Sequence, residues 1–248
     1  MNAPLNPMQL SIDVQHHVVA APTRHESAHL HVTGEAIYTD DIAAPRGTLS
    51  AAIGYAPVAH ATLKSVDLSA VRNAPGVIAV FTASDVPGVN NYGGIKLDDP
   101  ILATDLIEYH GQPVFMVVAE SHLLARKAAR LAKYDLEIRT PILTVDQALA
   151  AESYVLDPVT TGRGDAEAAI ARSPRRLKGK TVHGGQDHFY LEGMVSMAHP
   201  VEDGQISIQC STQHPTEVQH IVARAMALCD AKVRVECRRM GGGFGGKE

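Results

Sequence analysis

The sequence predicts a mixed α/β (α+β) chain built as two α/β units in series. Three observations predict it. Residues 111–140 read as strand, helix and strand in close succession. Beyond about residue 175 the chain turns β-rich around one long helical stretch, VQHIVARAMALC. Apolar residues make up 45% of the 248, enough for one large or two medium domains, and with no Trp the packing rests on Val, Ile, Leu and Ala.

Residues 1–27 show no clear periodicity and read as an irregular N-terminal segment. TGEAIYTDDIAAPRGTL (33–49) mixes turn formers with few apolar repeats and reads as a structured loop. Short β-like runs follow at 49–56, 61–68 and 77–83, with Pro75-Gly76 before the third and Pro87-Gly88 after it. GQPVFMVVAE (111–120) is an apolar strand. Ser121 is placed to cap the helix HLLARKAARLAKY, in which Leu124, Ala128 and Leu131 share one face. DLEIRT (135–140) alternates as a strand, and Pro141 ends the first unit, 28–140. Residues 141–174 read as a connector holding two short helical stretches, TVDQALAAE and GDAEAAIARS. RRLKGKTVH (175–183), HFYLEGMVSMAHP (188–200) and GQISIQCST (204–212) read as successive antiparallel strands, with Glu202-Asp203-Gly204 as a hairpin turn. On this reading His188, Tyr190 and Glu192 are strand scaffold. His214-Pro215-Thr216-Glu217 opens a helix through 229, and KVRVECRRM (232–240) is a strand that feeds the closing run GGGFGGKE (241–248).

Composition excludes several classes. A net charge of −5 and the lack of a basic stripe with interleaved aromatics argue against nucleic-acid binding. The N-terminus has no signal-peptide pattern, and apolar runs such as VFMVVA are too short to span a bilayer. Cys210, Cys229 and Cys237 form no CxxC, so neither a disulfide framework nor a zinc or iron–sulfur site is expected from this chain. A reducing cytoplasm fits that usage. The thirteen histidines show no HExxH or ligand spacing and read as surface or satisfied polar groups.

The glycine run admits several readings. Gly241, Gly243 and Gly246 fit G-x-G-x-x-G after a strand, but that fingerprint opens its domain and needs a following helix. Gly241 to Lys247 fit G-x-x-x-x-G-K, yet Glu248 stands where a phosphate loop has Ser or Thr, and its carboxylate would repel a triphosphate. Alternatively, N–H groups unshielded by Cβ atoms converge on the oxygen or sulfur atoms of a bulky anionic cofactor. Phe244 would then be a flat wall and Glu248 an acid or base at the lip. A plain tight turn also satisfies the spacing.

GGQDHFYLEG (184–193), paired with RRMGGGFGGKE (238–248), resembles the molybdenum hydroxylases, and within them the molybdenum-binding subunits of bacterial xanthine dehydrogenases. TGEAIYTDDI, AHATLKSVDLS, PGVIAVFTASDVPG and STQHP resemble the same family in the same order, so the likeness runs from about 25 to 248. It implies that 28–140 is an α/β hammerhead domain and that 175–248 begins a molybdopterin-binding α/β domain. The chain would be the N-terminal part of a longer subunit, inactive alone. By resemblance, Gln186 contacts an oxygen ligand on molybdenum, next to Gly185. Gly243, Phe244 and Gly245 lie against the metal centre, and Glu248 contacts the purine ring and serves catalysis. Aldehyde oxidases carry an apolar residue at the position of Glu248, so the glutamate favours xanthine or hypoxanthine. The implied reaction is hydroxylation with oxygen from water. Electrons pass through iron–sulfur clusters and FAD, held on a partner subunit of a heterotetramer, to NAD. The alternatives are a related hydroxylase of aldehydes or other N-heterocycles, and a cofactor-free docking module.

Overall fold

The structure is a computed structural model that describes residues 19–94 and 96–248. Most of the N-terminal segment expected to be irregular thus lies outside the described residues. The chain starts with a short helix α1 (Ala28–Thr33), closed by Gly34 at φ 78°, a conformation that favours glycine. The loop reading of 33–49 holds apart from a 3-10 turn at Thr39–Asp41.

Strands β1 (Ser50–Tyr55), β2 (Ala61–Asp67) and β3 (Val77–Thr82) form where the β-like runs predict them, with a one-turn helix α2 (Ser69–Arg72) between the last two. A two-residue strand β4 (Leu106–Ile107), too short to leave a sequence signal, precedes β5 (Pro113–Ala119). Helix α3 (His122–Ala129) and β6 (Lys133–Ile138) complete the unit. The strands make two antiparallel sheets, ordered β1-β5-β3 and β4-β2-β6. β5 is central and buries Val114, Phe115, Val117 and Ala119, as its nearly unbroken apolar run requires. Ser121 caps α3, accepting a hydrogen bond from the Leu124 N–H at 3.3 Å. The helix buries Ala125 and Ala128 against the sheet. It ends before Leu131, which is exposed, so the face expected through Leu131 is one turn too long.

Both connector helices form, α4 (Val145–Ala150) capped by Thr144 and α5 (Ala166–Arg172) capped by Asp165, and neither buries a residue. The strand expected at 175–183 is absent. Those residues are irregular and exposed, because RRLKGKTVH has no apolar face to bury against a sheet. The strand expected at 188–200 shrinks to β7 (Ser196–Pro200), so His188, Tyr190 and Glu192 lie on irregular backbone. β7 pairs antiparallel with β8 (Ile206–Cys210) across the expected turn at Glu202–Gly204.

Helix α6 (Pro215–Ala225) starts with Pro at its first position. It stops short of 229 because Ala227 turns left-handed at φ 53°. The Leu228 N–H then donates to the Ala223 carbonyl and the Ala227 N–H to the Arg224 carbonyl, a Schellman closure. β9 (Val233–Glu236) runs parallel to β8, so α6 is the crossover of a β-α-β unit, and the strand ends four residues before the position expected. Ile208, Ala223 and Val233 form the core of this second unit. The two units touch. The N–H groups of Gly88 and Val89 donate to the carbonyls of Ala225 and Arg224, and the Arg224 guanidinium reaches the Asn91 carbonyl at 3.1 Å.

Candidate cofactor site

The site grows from the end of β9. After Glu236 the backbone leaves the sheet, and the glycine run folds back over residues 190–192 and 211–213. Its centre is a tight turn in which the Gly246 N–H donates to the Gly243 carbonyl at 2.8 Å. The central residues, Phe244 and Gly245, both have positive φ (52° and 84°), the signature of a type I′ turn. For Phe244 this backbone is strained by about 1–2 kcal/mol, and its ring stays 75% exposed. The turn is held by Gln213. Its Oε1 accepts from the Gly245 N–H at 2.8 Å and from the Lys247 N–H at 3.4 Å, and its own N–H donates to the Lys247 carbonyl at 2.7 Å. A Cβ on Gly243 would stand 2.5 Å from that same Oε1, which is why glycine is needed there.

Beneath the loop is a buried polar cluster. Lys247 is 4% exposed and Glu192 9%. The Lys247 ammonium donates to the Ser211 hydroxyl (2.7 Å) and the Glu192 carbonyl (2.8 Å), pairs with the Glu192 carboxylate at 3.5 Å, and lies 4.6 Å over the Tyr190 ring. The Glu192 carboxylate also accepts from the Ser211 hydroxyl (2.6 Å) and from the N–H groups of Gly241 (2.8 Å) and Thr39 (3.1 Å). Burial pushes its pKa up. The Ser211, Gly241 and Asp40 hydrogen bonds and the Lys247 charge outweigh burial and leave the carboxyl below its ordinary range. The Lys247 ammonium is thus committed to buried partners within the chain, which removes the phosphate-loop reading.

Glu248 lies at the rim. Its carboxylate accepts from Gln213 Nε2 at 3.2 Å and stands 3.6 Å from His214 Nδ1, which also meets Glu217 at 2.9 Å. The Glu217 hydrogen bond, and then the Glu248 charge, raise the His214 pKa above its ordinary value. A pocket of about 260 Å³ opens beside Glu248, lined by Met194, Cys210, Val218 and Lys247 among others. The structure thus joins Gly243, Phe244, Gly245 and Glu248 in one loop, the first three in the turn and Glu248 at its rim. Gln186 and Gly185 lie on exposed backbone, and no hydrogen bond among the described residues links them to that turn. Sequence reasoning left Ser211, Gln213 and Lys247 without roles and put Glu192 on a strand. That all four lie in stretches that carry the family resemblance was the available signal.

The loop fits the cofactor that the resemblance implies. Among the described residues the N–H groups of Gly242, Gly243 and Phe244 have no hydrogen-bond acceptor, and the neighbouring Phe244 side chain is exposed. Consecutive free donors beside an exposed aromatic face suit a flat group rich in oxygen and sulfur acceptors.

Comparison with known proteins agrees. The family described as "Aldehyde oxidase and xanthine dehydrogenase, a/b hammerhead domain" matches residues 33–140, and "Molybdopterin cofactor-binding domain" matches 150–248. A xanthine dehydrogenase of Dictyostelium discoideum is 36% identical over 232 residues, 94% of this chain and 17% of the relative. Xanthine dehydrogenase 2 of Arabidopsis thaliana is 39% identical over 236 residues, 93% of this chain and 17% of the relative. Among solved structures, aldehyde oxidoreductase from Desulfovibrio gigas superposes with a TM-score of 0.75 at 28% identity, over 89% of this chain and 26% of that one. Quinoline 2-oxidoreductase from Pseudomonas putida 86 gives 0.75 at 26% identity, over 90% and 30%. The chain thus spans about a sixth of the length of the curated relatives it matches. A hammerhead unit followed by a molybdopterin-binding unit that carries the glycine loop places this chain in the molybdenum hydroxylase family.

Proposed function

We propose that this chain forms part of a purine hydroxylase acting on xanthine or hypoxanthine, with Glu248 as the residue that meets the ring. One observation carries the reading. A carboxylate is held at the rim of a glycine loop, facing a pocket, in a chain whose relatives at 36–39% identity are named xanthine dehydrogenases. When bound, the molybdenum cofactor supplies the oxygen-transfer and electron-accepting chemistry. The chain supplies the frame. The free N–H groups of 242–244 bind acceptor atoms of the cofactor, and Phe244 closes one wall and excludes water. Gly185 and Gln186, exposed and without a hydrogen-bond partner among the described residues, would hold an oxygen ligand of the metal. Glu248 accepts or donates a proton at a ring nitrogen and stabilises charge that develops there. A partner subunit would hold the iron–sulfur and FAD groups that supply the path for electrons to NAD.

The test is the complete enzyme with Glu248→Gln. Turnover of xanthine, as kcat/KM, is expected to fall by about 100-fold, the usual effect of removing one charge-stabilising group. Turnover of a simple aldehyde is expected to change little. Equal losses on both substrates, or an aldehyde preference in the unaltered enzyme, would reject the purine reading.

A further inference from the structure

Gln213 makes contacts that nothing in the reaction itself requires. Its carboxamide has two ends, and both are used. Oε1 takes the N–H groups of Gly245 and Lys247, and Nε2 donates to Glu248 Oε1. Its backbone N–H holds the Lys247 carbonyl, and the neighbouring Thr212 hydroxyl donates to the same carbonyl at 3.1 Å. The polarity is fixed. Two backbone donors face one end, so the amide oxygen must lie there, and the NH2 must face the carboxylate. A single side chain therefore sets both the strained turn at Phe244 and the place of the Glu248 carboxylate. It stands on the short link between β8 and α6, which is anchored by Ser211 and Thr212, both buried.

We propose that Gln213 is a positioning residue for substrate recognition, aiming the Glu248 carboxylate at the ring while it pins the cofactor loop. The inference rests on the purine reading of Glu248. The two roles separate by substitution. Gln213→Glu keeps an acceptor for Gly245 and Lys247 but sets a second carboxylate against Glu248. Gln213→Met fills similar space and removes both functions.

The complete enzyme is tested with these variants and Glu248→Gln, reading molybdenum content, amide exchange over 243–248, and kinetics on xanthine and a simple aldehyde. Gln213→Glu is expected to keep the metal and the slow amide exchange. It should raise KM for xanthine about tenfold, the usual worth of a hydrogen bond to a charged group, and leave the aldehyde unchanged. Gln213→Met is expected to speed exchange at Gly245 and Lys247 and to lower molybdenum content. A Gln213→Glu enzyme whose xanthine KM stays within about twofold of the parent, while Glu248→Gln impairs xanthine turnover, overturns the positioning role alone. Equal losses on both substrates overturn it too, because they mark a purely structural residue. If Glu248→Gln is itself neutral, the purine reading falls, and this inference falls with it.

Discussion

At the scale of single residues, the chemistry is divided between groups the sequence exposes and groups it hides. Glu192 and Lys247 are the clearest hidden pair. With the Ser211 hydroxyl and three backbone donors around it, the Glu192 carboxylate is well satisfied. Glu192→Gln leaves the Lys247 ammonium buried without its counter-charge. A loss of about 3–5 kcal/mol in urea unfolding is expected, the usual cost of breaking a buried pair from one side. The same carboxylate gives a pH signature. Its folded pKa lies below the unfolded value of about 4.3. The stabilisation it provides is thus complete above that value and is lost as pH falls through the folded pKa. Stability should decline below about pH 4, and less steeply in Glu192→Gln. Matching acid slopes in the two proteins would contradict the assignment. Phe244, the glycines and Glu248 were singled out by their glycine-rich spacing, their roles came only from the family resemblance, and the structure adds that they share one loop. Glu192 was not singled out. Its acceptor role depends on Thr39, 153 positions away, and no local pattern reports such a partner.

At the scale of elements, the first unit followed the sequence closely and the second less so. β5 was plain because it is central in its sheet, largely buried and nearly continuous in apolar residues. The stretch 175–195 misled because short alternation suggests a strand whether or not a partner strand exists. Leu177, Val182 and Leu191 are exposed there, with no sheet to cover them. The parallel pairing of β8 and β9 was not drawn from the sequence, although it follows from the crossover helix that was read between the two strands. Packing in β1 offers a sharp test. Phe115 is fully buried, and a Cβ on Gly54 would fall inside its ring. Gly54→Ala should destabilise by about 1–3 kcal/mol through overpacking. Adding Phe115→Leu should recover part of that loss, giving a coupling energy well away from zero. Simple additivity would show that the ring does not occupy that space.

At the scale of the whole molecule, two hydrogen-bonded bridges among the described residues join the units. One is the pairing of Gly88 and Val89 with the end of α6. The other runs from the loop at Thr39–Asp40 through Glu192 to Gly241, reinforced by the Arg239 guanidinium on the Ile37 carbonyl at 2.6 Å. At Gly88 a Cβ would collide with the Arg224 carbonyl, a backbone atom that cannot swing aside. Gly88→Ala should therefore loosen the first bridge alone. Amide exchange at Gly88 and Val89 is expected to rise while β5 keeps its protection; a rise spread evenly over both units would count against two separable bodies.

The second bridge also orders events in time. Residues 50–138 close their sheets through contacts within one continuous stretch, so that unit can settle early as the chain is synthesised. The Glu192 carboxylate needs both the finished Thr39–Asp40 turn and the arrival of Gly241, which closes a long loop and is correspondingly slow. The glycine loop is thus among the last parts of this chain to take shape. A cofactor offered before then would find no nest of donors to receive it.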